Sequence, residues 1–292
     1  PTKIELIIIG GTWSYLPKKY QYWYIANCYA AANTYGKTAR RYRQNLSLDQ
    51  LKKAIAKEQT INESTRYRIV GLTLETRPDC LTPQELTRLR EFGCTRVEIG
   101  VQIVDDHILR LNERTTTVQD IAQATQLLRD WGFKITYHIM PALPGSNPNH
   151  DIAMYKKLFT DPRFQPDQIK FYPTVVVKGS KLYEDWLKGQ YKPYSDSELI
   201  RVIKECKAAT PPYVRIVRLI RDIPKESIEA GNKITNLRQI IQKQGVQCQC
   251  IRCREVKDKA VDWSNLQLII RQYIAGDGEE YFLSWESPDQ ST

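Results

Sequence analysis

The sequence predicts an α/β protein in which parallel strands alternate with crossover helices. From Lys3 to Tyr172, short β-branched runs alternate with longer amphipathic stretches, as a parallel sheet requires. Gly93 and Gly132 follow two of the helical stretches as left-handed stops, and a strand begins directly after each. Strands are expected at Ile4–Ile9, Arg68–Leu74, Arg96–Val101, Lys134–Met140 and Gln168–Phe171. Between them, helices are expected at Leu48–Gln59, Pro83–Phe92, Val118–Trp131 and Ile152–Phe159. Thr82 caps the helix opened by Pro83, with Glu85 three residues on as in a capping box.

In such repeats the loops leaving the carboxyl ends of the strands form the face that carries the site. Here they read Gly10-Gly11-Thr12, Glu75-Thr76-Arg77-Pro78-Asp79, Gly100-Val101-Gln102, Pro141-Ala142-Leu143-Pro144-Gly145 and Tyr172-Pro173-Thr174. The glycine pair permits close backbone approach to a ligand, and Glu or Gln at a strand end can hold amino and hydroxyl groups. Taken alone, Gly10-Gly11 is equally a plain turn and Glu98 a buried, satisfied polar group. Their shared location is the stronger signal.

The chain has 292 residues, 41% hydrophobic and 26% charged, which excludes disorder throughout. Its longest apolar run, Ile4–Ile9, is interrupted by Glu5 and falls far short of the roughly 20 residues of a membrane span. No basic-then-apolar leader is present, and the first residue is Pro1 with a strand-like run at once, so a fragment of a longer reading frame is expected. Lys and Arg total 43 against 33 acidic residues, a formal charge of +10, which points to a polyanionic partner and first to nucleic acid.

After Tyr183 the pattern changes. A helix is expected over Asp196–Lys207, ended by Pro211-Pro212. A basic segment follows, with Arg215, Arg218 and Arg221 three apart, then Lys225, Lys233 and Arg238. As a strand this spacing scatters arginine onto both faces; as an extended or turning segment it can track phosphates, and a solvated charged edge is the alternative. Leu266–Tyr273 and Tyr281–Glu286 read as the two strands of a hairpin, with Ile274–Glu279 as the glycine-containing turn between them.

Seven cysteines in a chain without a secretion signal point to a reducing, cytoplasmic setting, and Cys248, Cys250 and Cys253 crowd into six residues. A Cys-x-Cys pair followed by a short turn suits tetrahedral thiolate coordination, with zinc the simplest occupant. Iron–sulfur ligation and a metal-free reactive thiol cluster are the alternatives. For a fourth ligand, Asp258, Cys206, water and an exogenous group are candidates.

Several runs together resemble one family: Gly71-Leu-Thr-Leu-Glu75-Thr-Arg-Pro-Asp79, Val97-Glu98-Ile-Gly-Val-Gln102, Asp167-Gln-Ile-Lys170-Phe-Tyr172-Pro-Thr174, Arg221-Asp-Ile-Pro224 and Asn236-Leu-Arg238. The chain is similar over nearly all its length to the catalytic subunit of Elongator. The resemblance implies an incomplete, TIM-like radical S-adenosylmethionine (SAM) βα barrel of about six units, of which five are counted here and the first is lacking. A small α+β basic segment with a zinc motif and a terminal β-hairpin follow. The implied divisions are 1–190 for the partial barrel, 191–262 for the basic, cysteine-bearing region, and 263–292 for the start of an acetyltransferase-like domain.

The same resemblance implies a tRNA-modifying enzyme acting at C5 of the wobble uridine. It uses a 5′-deoxyadenosyl radical from SAM and an acyl group from acetyl-CoA to build a carboxymethyl-type substituent. It places Gly10, Gly11, Thr12, Glu75, Glu98, Gln102 and His138 at the SAM cavity, with Thr12 departing from the family's acid, and Lys170 and Tyr172 at the same mouth as catalytic groups. Arg215, Arg218, Arg221, Lys233 and Arg238 fall in the region used against the tRNA anticodon arm, and Cys248, Cys250 and Cys253 match a prokaryotic zinc motif. The three cysteines that hold the family's 4Fe-4S cluster and the acetyl-CoA pyrophosphate loop are both expected to be absent from this chain, leaving it inactive as a fragment. A membrane partner is not expected, and a homodimer is compatible with these readings. The rival readings are a non-catalytic tRNA-binding module with a structural zinc site and a small-molecule TIM-type enzyme.

Overall fold

The computed structural model describes residues 2–220, 223–257 and 260–292. Its elements alternate in the predicted way: β1 (Lys3–Ile8), α1 (Lys18–Asn33), α2 (Leu48–Ser64), β2 (Arg68–Thr76), α3 (Pro83–Glu91), β3 (Arg96–Gln102), α4 (Asp106–Leu111), α5 (Val118–Asp130) and β4 (Lys134–Ile139). There follow α6 (Pro148–Thr160), β5 (Gln168–Phe171), β6 (Val176–Val177), α7 (Lys181–Leu187), α8 (Asp196–Ala208), β7 (Arg215–Arg218), β8 (Ile228–Ala230), α9 (Leu237–Lys243) and α10 (Ile251–Arg254). The hairpin strands β9 (Gln267–Ala275) and β10 (Gly278–Glu286) complete the order.

Six strands form one sheet in the order β1-β2-β3-β4-β5-β7. Five are the expected ones; the sixth is β7, the basic run Arg215–Arg218, so the count of five is corrected to six. Its centre explains the addition: Ile216 is fully buried and pairs with Ile169, so the apolar residue between the arginines supplies the strand's core face.

The chain divides into two compact units, Pro1–Gly100 with Leu127–Ile135, and Val101–Gln126 with Thr136–Thr292. In the first, Leu72, Leu74, Val97 and Ile99 are buried, as expected where helices cover a parallel sheet. Helix α1, 16 residues long, is the longest element the periodicity does not predict. It has no side-chain cap, Pro17 standing at its N-cap, and it buries polar Gln21 and Asn33 along with Tyr22, Ile25, Ala26 and Tyr29. Burial spread over mixed residue types leaves no amphipathic stripe. The cap on α3 is half the expected box: Thr82 accepts from the Glu85 amide, while the Glu85 carboxylate turns to Ser14 Oγ and Arg88.

In the second unit, Ile169, Phe171 and Ile216 are fully buried, and Tyr155 stacks on Phe171 with ring centroids 5.1 Å apart. Helix α6 begins four residues before the expected Ile152 because the Asn147 side chain caps it and Pro148 opens it. The hairpin closes through Gly276 and Asp277 alone, a tighter turn than the sequence suggests. Its Gly276 amide donates to the Pro162 carbonyl at 2.6 Å, and Tyr273 lies 3.8 Å from Tyr213 in a parallel stack. No helix among the described residues is long and apolar enough to cross a membrane.

Candidate active site

In the first unit the chain leaves β1 through Gly10 (φ 130°) and Gly11 (φ 105°), a backbone course that side-chain-bearing residues rarely adopt. Space is not the constraint, since a Cβ at either would meet nothing within 4 Å. Ser14 fixes the loop beyond Thr12: its Oγ lies 2.7 Å from Thr76 Oγ1 and donates to Glu85 Oε1 at 2.9 Å. Thr76 ends β2, so this serine ties the loop after β1 to the carboxyl end of the next strand. Glu75 and Glu98 are register partners on β2 and β3, with Glu98 buried and Glu75 half-buried. Two neighbouring carboxylates, Glu75 one residue from the end of β2 and Glu98 within β3, offer acceptors to a ligand rich in amino and hydroxyl donors.

The second unit carries the basic half of the predicted residues. His138 pairs in register with Lys170, and Lys170 with Arg218, across β4, β5 and β7. His138 and Lys170 are both buried, and the His138 ring meets the Tyr172 ring edge-on at 4.9 Å. Gln102 ends β3 with φ 68°; its carbonyl accepts from Met140 N at 2.9 Å. Its side-chain Oε1 is buried without a hydrogen-bond partner among the described residues, as is Thr174 Oγ1. Orphaned buried acceptors of this kind call for a bound donor.

The loop Pro141–Gly145 after β4 is held by Asp151, a residue sequence reasoning missed. Its carboxylate accepts from the Ala142 amide at 2.8 Å, from Tyr194 Oη at 2.7 Å and from Ser146 Oγ. Tyr191 Oη adds a bond to the Ala142 carbonyl at 2.8 Å. Ala142 sits at φ 67°, outside the region a non-glycine residue prefers, and these bonds hold it there. Burial raises the Asp151 pKa, opposed by the hydrogen bonds from Ser146, the Ala142 amide and Tyr194. The local signal was an Asp beginning a helix after Asn-Pro; its partners lie too far along the chain to read.

Gly145 closes this loop at φ +85°, and a Cβ there would stand 2.3 Å from Leu111 Cδ2 and 3.2 Å from Ile108 Cδ1. Gly145→Ala is therefore expected to destabilise the protein by about 1–2 kcal/mol, chiefly from left-handed strain, since the half-exposed Leu111 side chain can swing aside. Urea unfolding checks this, and an unchanged midpoint would refute it.

The Cys248, Cys250 and Cys253 sulfurs lie within 4.8 Å of one another. Cys250 is fully buried, and the Ile251 amide donates to the Val214 carbonyl at 2.9 Å, docking the motif beside β7. Hydrogen bonds from Cys248 and Cys253 push the Cys250 thiol far down and the Cys248 thiol correspondingly up. Buried Lys207 places Nζ 3.4 Å from Cys253 Sγ. Of the suggested fourth ligands, Asp258 lies outside the described residues, and Cys206 is not grouped with the trio.

The motif is also braced from behind. Arg254, the residue after Cys253, meets Glu286 Oε1 at 2.8 Å, and Glu286 further accepts from Arg271 at 2.6 and 2.8 Å and from Ser284 at 2.6 Å. Burial alone would push the Glu286 carboxyl up; the hydrogen bonds from Arg271, Ser284 and Arg254 outweigh it and hold it at about 2.

The predicted basic set is not one exposed row. Arg215 is paired with Glu255 at 2.7 Å, and Arg238 donates to the Ile216 carbonyl at 3.0 Å. Burial, with Arg252 nearby, lowers the Arg238 pKa. Arg218 occupies its strand position, Lys233 is exposed, and Arg221 lies outside the described residues.

A parallel α/β sheet with polar groups gathered at its strand ends defines the class, and the family comparisons agree. The Radical SAM superfamily matches residues 6–158 and the Radical_SAM C-terminal domain matches residues 166–245. The chain is 45% identical over 290 residues to a Dehalococcoides mccartyi protein named tRNA uridine(34) acetyltransferase, spanning 97% of this chain and 60% of the relative. It is 36% identical over 296 residues to human Elongator complex protein 3, spanning 99% of this chain and 51% of the relative. The solved structure of archaeal Methanocaldococcus infernus Elp3 with an N-terminal deletion superposes with a TM-score of 0.89 at 40% identity, covering 99% of this chain and 67% of that one. The chain belongs to the radical SAM superfamily and, within it, to the Elongator complex protein 3 family. It spans between half and three fifths of the length of these curated relatives.

Membership implies SAM and a 4Fe-4S cluster. In the second unit the orphaned Gln102 and Thr174 oxygens fit donor groups of SAM; in the first unit, taken by itself, so does the Glu75–Glu98 pair. The described residues do not fit the cluster, because no three cysteines meet on the strand-end loops; the one cysteine trio follows α9.

Proposed function

We propose that this chain is the SAM-binding and RNA-facing part of an enzyme that modifies C5 of the tRNA wobble uridine, with acetyl-CoA as acyl donor in the whole protein. The single observation behind this reading is the 45% identity, along nearly the whole chain, to a protein named tRNA uridine(34) acetyltransferase. The non-catalytic RNA-binding alternative is less favoured, because the Radical SAM superfamily match covers residues 6–158 and the relatives are named for the modifying activity.

In this reading residues 1–190 form the barrel part, 191–262 the basic and metal-binding part, and 263–292 lead into the acetyltransferase-like part. When bound, SAM supplies radical chemistry. Gly10, Gly11 and Thr12 line its approach, Glu75 and Glu98 accept from its amino and hydroxyl groups, and Gln102 and His138 complete the lining. Lys170 and Tyr172 face the base, with Lys170 as the group that binds or moves a proton. Arg215, Arg218, Arg221, Lys233 and Arg238 contribute positive field toward the anticodon arm. A cytoplasmic location suits seven free cysteines.

The test is nucleoside analysis by mass spectrometry of tRNA from cells lacking the gene. Loss of carboxymethyl-derived wobble uridines is expected, and an unchanged profile overturns the reading.

Zinc is assigned to Cys248, Cys250 and Cys253 on the convergence of their sulfurs. Elemental analysis is expected to find about one zinc per chain in the wild type and a several-fold loss in Cys250→Ser, since a structural site depends on each thiolate. Undiminished zinc in the variant would remove the assignment.

A further inference from the structure

Between Leu6 and Leu48 the sequence contains no Asp or Glu, yet carries six cations and nine aromatic residues. That window alone holds six of the charges behind a net +10. In the first unit Tyr42 ties the loop that carries Arg40, Arg41 and Arg43 to the aromatic helix α1. The Tyr42 carbonyl accepts from Trp23 Nε1 at 2.8 Å and from Asn27 Nδ2 at 3.2 Å, while its amide donates to Asn27 Oδ1 at 3.0 Å. The loop is thereby laid against α1, with Arg41 and Arg43 on either side of the anchoring residue.

Behind the anchor, Tyr42 Oη and Arg40 both reach the fully buried Glu58, at 2.7 and 2.6 Å. Arg40 is therefore occupied in holding the loop. Arg41, Arg43, Lys18 and Lys19 are exposed and enter no ion pair among the described residues. Beside them the Tyr20 ring lies 5.5 Å from Trp23 and 6.0 Å from Tyr24, and is 38% exposed at its surface. Tyr15, 65% exposed, stands in the turn that leaves the β1 end of the candidate site.

We infer that this aromatic and cationic face, built on Tyr15, Tyr20, Lys18, Lys19, Arg41 and Arg43, is a binding surface for single-stranded RNA. The inference rests on the RNA reading above and names a surface outside the basic set 215–238. Cations flanking exposed rings are what an unpaired strand requires: phosphates meet the charges and bases stack on the rings. Its position directly after Gly10-Gly11-Thr12 puts the surface at the loop leaving β1, where a substrate base must approach. A membrane surface would need a wider apolar band than Leu16 and these tyrosine rings provide.

The test is fluorescence anisotropy with the full-length protein, an anticodon stem–loop and a fully paired duplex, over a range of salt. Lys18→Gln/Lys19→Gln and Arg41→Gln/Arg43→Gln are each expected to lower the log–log salt slope by roughly one to two. Tyr20→Ala is expected to weaken stem–loop binding roughly five- to hundredfold with the slope and duplex binding unchanged. Lys53→Gln/Lys57→Gln, on α2, is the surface control, and a thermal melt establishes that each variant is folded. If wild type binds the stem–loop and the three patch variants bind as it does, the inference falls and the RNA reading stands. If wild type binds no RNA, both fall. Loss restricted to anionic vesicles overturns the inference in favour of a lipid surface.

Discussion

Glu286→Gln is expected to destabilise the second unit by about 3–5 kcal/mol, because it leaves the Arg254 and Arg271 guanidiniums without their shared carboxylate in a buried place. Glu286 is 1% exposed and accepts three bonds that join β10 to α10 and β9, with a fourth from Ser284 within β10. The same residue sets an acid limit. Its carboxyl is held at about 2, below the ordinary 4.5, so its contribution is fully present above 4.5 and is lost as pH falls through that interval. A depression of this size corresponds to about 3 kcal/mol. Urea unfolding at pH 7 and at pH 3 measures both effects: wild type weakens on acidification, and Glu286→Gln loses most of that dependence. Equal pH dependence in the two proteins would refute the clamp.

Asp151→Ala is expected to cost about 3 kcal/mol and to release the Pro141–Gly145 loop, since each hydrogen bond to a charged group contributes about 1.5–3 kcal/mol and partners are left buried. The Ala142 amide and the Tyr194 hydroxyl would both lose their acceptor. Asp151→Asn retains an acceptor oxygen and is expected to recover part of the loss. The pH sign is opposite to that of Glu286. Burial raises the Asp151 pKa, so its contribution is fully present below the ordinary carboxylate range and declines as pH rises through the raised value. Calorimetric titration of the full-length protein with SAM is expected to show weaker binding for Asp151→Ala than for Asp151→Asn. Equal affinities would separate the loop from the ligand site.

The elements that were legible are those whose information is local. Alternating runs located five sheet strands, and Gly93 and Gly132 end their helices at φ 76° and 70° as left-handed stops. Helix α1 escaped because its buried face mixes tyrosine, alanine, glutamine and asparagine, and β7 escaped because arginines flank its buried isoleucine. At the site, residue types at strand ends marked Glu75, Glu98, His138 and Lys170 because strand register alone brings them level. Asp151 was illegible because its role depends on an amide of the preceding loop and on Tyr194, more than forty residues on, beyond β5, β6 and α7. The Tyr42 anchor is hidden for the same reason: a main-chain carbonyl received by an indole leaves no pattern in the sequence.

The hairpin is mounted at both ends, by Gly276 on the Pro162 carbonyl at its tip and by Glu286 on Arg254 at its base. A free two-stranded ribbon is marginally stable in water and frays from its open end, one amide after another. Held at tip and base, β9 and β10 can open only when the surrounding second unit opens with them, so their amide hydrogens should exchange as a single cooperative group. Because Arg254 follows Cys253 directly and meets Glu286, a change in the chemistry of the three sulfurs is expected to register as a change in protection along β9 and β10, which makes that exchange rate a gauge of the thiol loop.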